Sequence, residues 1–488
     1  MQQNRNDSRL SWTDAAFLYL EREGIPLHIG GISLLEGTVS LEDCIRFVQS
    51  KLPLLPRYRQ RVVAPLFNIG LPKWEFDPDF DVRNHIWEVT LKRGTDTEFK
   101  AVAGKILGQL MDRQRPLWDI TLVHGVKGNR TGFITRVHHC LADGIAGVGL
   151  MNTVLDANPA VPPLPRKPPR FRVRSFHDPL TSLLGSWVSA YANVVEQVLK
   201  TLSDGLSIAE KIATSGQILP MGKLTKFFPE LAMPTQALHF NATCRGPQKI
   251  AWMRIPLADI KAIKDAMGCS VNDVVLTLVT SAVRRYASLH GDRIRGRLLR
   301  IMVPVDLRSD VNRRELGNFV SMIPVVVPLD IRNVRALLAA VHERTEFLKS
   351  AHMAELISLA SGLPGILPSP LQALVGPIAS QLPIAPFNLV CTNVAGPQSP
   401  LYLMGHKLLT WYPYVPIGGE MAVNCAILSY NGTMYFAFTG DARVAPALAR
   451  LETLLKWSTK ELREAAGIRP PRKQHVRPEV REVFKSAA

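Results

Sequence analysis

His138-His139-Cys140-Leu141-Ala142-Asp143-Gly144 stands between two segments of different periodicity. Upstream, Gly132-Phe133-Ile134-Thr135-Arg136-Val137 is short and rich in β-branched and aromatic residues, which predicts a strand. Downstream, Asp143 is a good helix N-cap, and apolar Ile145, Val148, Met151 and Leu155 recur at helical spacing. The histidines therefore fall where a strand gives way to a turn, a place from which a rigid element can hold a side chain at a cleft. Successive strand residues point to opposite faces, so His138 and His139 cannot both line one cavity. One is a site candidate; the other packs or hydrogen-bonds behind it. A neutral imidazole suits proton abstraction from a hydroxyl near neutral pH, its unperturbed pKa being about 6.5. Asp143 can orient a ring by accepting its hydrogen bond, or hold the turn by pairing with a basic residue. Gly144 lets the helix start close to its neighbours. An ordinary strand–turn–helix with two incidental histidines is the plain alternative.

At 488 residues the chain exceeds one compact core, so two domains are expected. Its 47% hydrophobic and 20% charged content describes a globular protein greasier than average. Lys plus Arg less Asp plus Glu, 58 − 41, gives +17, which favours nucleic acid, acidic lipid or phosphorylated ligands. No nucleic-acid motif accompanies the charge, so no nucleic-acid partner is expected. The cysteines (44, 140, 244, 269, 391 and 425) include no C-x-x-C pair and suit reduced thiols in a cytoplasmic protein. Residues 1–7 are polar and lack a signal-peptide core. Residues 356–405 carry no Asp, Glu, Lys or Arg, but repeated prolines break the run, so it reads as buried or interfacial and not as a spanning helix. No metal is expected, since the two histidines lack partners at ligand spacing.

Along the chain, Ser11 opens a helix through Glu21 in a capping-box pattern. A strand at 32–35, a helix at 41–51, a helix at 99–111, and Pro116-Leu117-Trp118 leading into a strand at 120–124 follow. An alternating α/β domain over residues 1–155 results. Residues 156–245 read as a Pro-rich basic linker carrying an amphipathic helix, with Leu180, Leu184, Trp187, Tyr191, Val194 and Val198 on one face. That face packs on a domain or lies in a lipid interface. A second domain spans 246–468, with a helix from Val271 towards Tyr286, strands at 300–305, 319–328 and 387–394, a hairpin turning at Asn431-Gly432, and a last helix at 447–466. The basic tail, 469–488, reads as disordered.

His-His-x-x-x-Asp-Gly resembles the signature of the CoA-dependent acyltransferase superfamily, which includes chloramphenicol acetyltransferases and peptide-synthetase condensation domains. Further stretches narrow the resemblance: Pro26-Leu27-His28-Ile29-Gly30, Pro116-Leu117-Trp118, Asn272-Asp273, Leu316-Gly317-Asn318, Asn393-Val394-Ala395-Gly396-Pro397 and Leu428-Ser429-Tyr430-Asn431-Gly432. Together they resemble the bacterial wax ester synthase/acyl-CoA:diacylglycerol acyltransferase family over nearly the full length. Ala395 departs from a proline common there.

The resemblance implies an α/β fold of two chloramphenicol-acetyltransferase-like domains with a tunnel between them. It implies an O-acyltransferase that moves a fatty acyl group from acyl-CoA to a fatty alcohol or diacylglycerol, with acyl-CoA as substrate and no cofactor. His139 would be the general base, with no covalent acyl-enzyme. Asn272 would stabilise charge in the cleft or cap the helix it opens; Asp143 would hold the motif turn. Glu21 would support the site, or be an exposed helix-end carboxylate; Trp118 would pack in the core or touch substrate. Cys140 adjoins His139, but alternation turns it away and free Cys usually packs as a small hydrophobe. A cytoplasmic enzyme docked on a membrane or lipid-body surface follows. Peptide condensation and a non-enzymatic lipid-surface protein with a degenerate site are the competing readings.

Overall fold

In a computed structural model describing residues 9–65, 70–160, 233–306, 320–351, 387–468 and a few between them, the chain builds two six-stranded mixed sheets. The first half supplies α1 (Trp12–Leu20), β1 (His28–Glu36), α2 (Leu41–Lys51), β2 (Gln60–Val63), β3 (Lys73–Phe76), β4 (Ile86–Thr90), α3 (Asp96–Leu107), β5 (Trp118–Val126), β6 (Arg130–His138) and α4 (Gly144–Val154). The second supplies β7 (Gln248–Pro256), α5 (Leu257–Met267), α6 (Val271–Leu289), β8 (Leu298–Asp306), β9 (Val320–Pro328), α7 (Val334–Ser350), β10 (Leu389–Ala395), β11 (Tyr402–Leu403), β12 (His406–Tyr414), β13 (Val423–Tyr430), β14 (Thr433–Asp441) and α8 (Arg450–Ala465). Helix starts follow their capping residues: the Ser11, Ser40 and Thr95 side chains accept the N–H groups of Asp14, Asp43 and Glu98. Asn431 and Gly432 turn the β13–β14 hairpin with φ of 45° and 74°, the left-handed pair that a tight hairpin needs.

The first sheet runs β11-β12-β1-β6-β5-β4 and the second β7-β14-β13-β10-β8-β9. Residues 1–155 therefore do not build the first sheet alone: β12, from deep in the second half, pairs antiparallel with β1, placing Pro413 against Gly31 and Trp411 against Ser33. Side chains lock the halves further. Lys100 on α3 donates to Glu452 on α8 at 2.7 Å, and the Tyr414 hydroxyl donates to Gln248 at 2.8 Å. Gly104 lets α3 lie against β7, since a Cβ there would stand 2.3 Å from the Gln248 carbonyl. The amphipathic helix expected over 180–198, the Leu316-Gly317-Asn318 motif, most of the uncharged run and the tail lie outside the described residues. Among the described residues no single helix is long and apolar enough to cross a membrane.

β1 lies between β12 and β6, so its glycines face close neighbours. A Cβ on Gly30 would stand 2.2 Å from the Thr135 carbonyl, whereas one on Gly149 of α4 would meet nothing within 4 Å. Gly30→Ala is expected to cost about 1–3 kcal/mol through overpacking and to lower the thermal unfolding midpoint. Gly149→Ala is expected to leave that midpoint unchanged or raise it, because alanine is the better helix former. Circular dichroism melts of the two variants check this.

Candidate active site

β6 ends at His138, and the strand's alternation separates the two histidines as expected. The His138 N–H donates to Leu117 O and the His139 N–H to Leu27 O, both at 2.9 Å, so the backbone is held from opposite sides. His138 is fully buried. Its Nδ1 accepts the Cys140 N–H at 3.2 Å, which leaves Nε2 as the protonated nitrogen, 3.3 Å from Glu21 Oε1. His139 faces the other way, onto a cavity of about 830 Å³, and stacks on Phe17 of α1 with ring centroids 4.0 Å apart. Asp143 caps α4 by accepting the Ala146 N–H at 2.7 Å, and Gly144 carries the helix past Val394.

Of the two readings of Glu21, the exposed helix-end carboxylate fails: its side chain is 1% exposed and lies behind His138, out of the cavity, so it is not a substrate contact either. Burial alone would raise its pKa, but the His138 contact and charge, the Leu27 N–H and Arg113 outweigh that and hold it down at about 2. Leu27 N donates to Oε1 at 3.0 Å and Arg113 Nη2 to Oε2 at 3.0 Å. Arg113 was not foreseen, being far from Glu21 in sequence and in no motif.

The cavity runs between the sheets. Phe133, Thr135, Val137 and His139, alternate residues of β6 and the turn beyond it, form its floor. At ~3.3 Å per strand residue that floor is a trough roughly 20 Å long. Val148 and Met151 of α4 and Val48 and Leu52 of α2 and its following turn also line it, while Met302, Val390 and Ala426 belong to the second sheet. The volume lies within the ~300–1,000 Å³ of small-molecule sites, and the lining is mostly apolar.

Asn272 lines this cavity, and the capping role considered for it falls to Ser270, which forms a capping box with Asp273. Asn272 Oδ1 accepts from Asn393 Nδ2 at 2.6 Å, an arrangement that leaves the Asn272 amide N–H groups for other partners. Asp273 is fully buried and ties α6 to α7, accepting from Thr345 at 2.6 Å and lying 2.8 Å from His342 Nδ1. Burial would raise its pKa, but the Thr345, Ser270 and His342 hydrogen bonds hold it below the usual carboxylate value. Trp118 packs in the core, its indole donating to Tyr58 O at 2.7 Å and stacking on His85, and it also lines the cavity. Cys140 is buried, and burial raises its thiol well above the ordinary value, which disfavours a thiolate nucleophile. Among the described residues no cluster of three or more His, Cys, Asp or Glu side chains could hold a metal.

Two mixed α/β sheets meeting at an apolar tunnel, with a His-His-x-x-x-Asp-Gly turn at its wall, are the fold and site of the chloramphenicol-acetyltransferase-like acyltransferases. Residues 10–275 match the wax ester synthase/diacylglycerol acyltransferase catalytic domain and residues 316–463 the WS/DGAT C-terminal domain, so the chain belongs to this family and is an acyltransferase. A probable diacylglycerol O-acyltransferase of Mycobacterium tuberculosis is 26% identical over 448 residues, 91% of this chain and 93% of that one. The wax ester synthase/diacylglycerol acyltransferase of Marinobacter aquaeolei VT8 is similar in structure, with a TM-score of 0.65, 25% identity, and coverage of 94% and 100%. The first condensation domain of the calcium-dependent antibiotic synthetase shares the fold, with a TM-score of 0.57 at 14% identity over 94% and 96% of the two chains.

The Glu21 pKa fixes a pH window. A carboxyl depressed from 4.5 to about 2 contributes stability that is fully present above pH 4.5 and lost as pH falls towards 2, on the order of 3 kcal/mol at neutral pH. Glu21→Gln is expected to melt below wild type at pH 7, with the gap narrowing between pH 4.5 and 2. Thermal melts across that range test it; a gap independent of pH would remove Glu21 as the titrating group.

Proposed function

We propose that this acyltransferase moves a fatty acyl group from acyl-CoA to the hydroxyl of a long-chain alcohol or a diacylglycerol, making wax ester or triacylglycerol. The observation that carries the reading is the placement of His139 in the wall of a long apolar trough while His138 is buried against Glu21. The names of the Mycobacterium and Marinobacter relatives agree with these substrates.

In this mechanism His139 takes the proton of the acceptor hydroxyl as its oxygen attacks the thioester carbonyl. The carbonyl π bond opens to a tetrahedral oxyanion, towards which an Asn272 amide N–H is the donor at hand. Collapse restores the carbonyl and breaks the C–S bond, and the imidazolium returns the proton to the CoA thiolate. His138 and Glu21 act from behind by fixing the backbone that presents His139. Asp143 acts through the cap that holds the turn. The basic surplus, +17, suits docking on an anionic membrane or lipid-body surface at its cytoplasmic face, where both lipid substrates partition.

The test is CoA release from palmitoyl-CoA with hexadecanol or dipalmitoylglycerol offered separately. Turnover with at least one acceptor is expected, falling about 10²–10⁴-fold in His139→Ala. A loss of about 10²–10³-fold in kcat is expected for Asn272→Ala. Equal rates in wild type and His139→Ala would remove His139 as the base, and silence with both acceptors would remove the substrate assignment.

A further inference from the structure

The trough is apolar along most of its floor, with one interruption. Thr135 of β6 and Trp411 of β12 stand either side of Gly31 on β1, and all three line the cavity. A Cβ on Gly31 would lie 2.8 Å from Trp411 Nε1 and 3.4 Å from Thr135 Oγ1, so both polar atoms converge on the bare glycine backbone. Trp411 is only 3% exposed. Its ring meets Tyr430 edge-on, and neither its indole N–H nor the Thr135 hydroxyl has a hydrogen-bond partner among the described residues. Unpaired polar groups in a mostly apolar pocket wall are costly, and such groups commonly fix a ligand's orientation. A lone water would find only these two partners here, the lower end of what a buried water keeps.

The position of the pair says what they would read. Thr135 lies four strand residues before His139, roughly 13 Å along the floor at ~3.3 Å per residue. An extended chain advances roughly 1.2 Å per bond, as extended backbone does at ~3.6 Å per three bonds, so 13 Å is about eleven bonds from the thioester carbonyl, near carbon 12. Building on the proposed function, we infer that Trp411 and Thr135 form a polar subsite for an oxygen in the middle of the acyl chain. The substrate class is a fatty acyl-CoA with a hydroxyl or oxo group near carbon 12. The indole N–H donates to that oxygen, and the threonine hydroxyl donates to it or accepts from it. Gly31 is the specificity device, because a side chain there would fill the notch.

The test compares stearate with 12-hydroxystearate, and stearoyl-CoA with 12-hydroxystearoyl-CoA, on wild type, Trp411→Phe and Thr135→Val. Calorimetric binding of the free acids is read separately from CoA release, so the subsite is tested whether or not the enzyme turns over. Wild type is expected to prefer the hydroxylated acid by about 5–10-fold, as one or two hydrogen bonds allow, with the same preference in kcat/KM. Each substitution is expected to abolish that preference by weakening the hydroxylated acid more than stearate. No preference in wild type would overturn the inference, leaving the two donors to solvent. Equal weakening of both ligands would also overturn it, assigning the residues to packing or to the CoA arm. Preference in binding without turnover would uphold the subsite while removing the reaction proposed above.

Discussion

The contact between Glu21 and His138 is the constraint on which the site rests. A carboxylate with 1% exposure is tolerable only with several polar partners around it, and here they come from separate parts of the chain: the donating Leu27 N–H and Arg113 guanidinium, and the His138 imidazole in contact at 3.3 Å. Satisfying one buried charge thus fixes the end of α1, the entry to β1, the segment before β5 and the end of β6 together. The same pieces then serve His139. Leu27 O accepts its backbone N–H, and Phe17, one turn before Glu21 on α1, stacks on its ring. The His139 imidazole is positioned by groups anchored to a charge that never enters the cavity.

The second constraint is the return of β12 into the first sheet. It forces the halves to share a hydrogen-bonded ladder, so the cavity between them has walls that cannot drift apart without breaking strand pairing. Its register also brings Trp411 beside Gly31. The cavity wall near His139 is composite for the same reason. His139 comes from the first half, whereas Asn272 and Asn393 come from two elements of the second and hold each other at 2.6 Å.

What could be read in the sequence was what local periodicity controls. Strand alternation separated His138 from His139, Asp143 declared itself as a cap, and Asn431-Gly432 declared a hairpin, because each depends on a few adjacent residues. The motif series was equally legible, since order along the chain survives where contacts cannot be seen. Contacts between distant segments were not legible. Glu21 was favoured as an exposed helix-end carboxylate because its partner Arg113 is in no recognisable spacing with it. Asn272 looked like a possible cap because Ser270, two residues earlier, carries the side chain that wins that role. The membership of β12 in the first sheet was invisible, because residues 402–414 follow so many elements of the second half that sequence order assigns them there.

The period of two in β6 also explains how a site for lipids tolerates so many charges nearby. Residues 136 and 138 point to one face, where Arg136 pairs with Asp119 and donates to the Ile106 and Gln109 carbonyls at the end of α3, and His138 meets Glu21. His28, opposite His138, is also fully buried there, and burial drives its pKa well below the ordinary value. Residues 133, 135, 137 and 139 point to the other face and give the trough its floor of Phe, Thr, Val and His. A one-residue slip in the pairing of β6 would exchange the sets, putting Arg136 and His138 into the lipid channel and His139 into the core. The alternation therefore keeps the channel apolar enough for a hydrocarbon chain while admitting a single imidazole. In a channel so lined, little water competes for a polar contact, and each one is stronger than it would be in solvent.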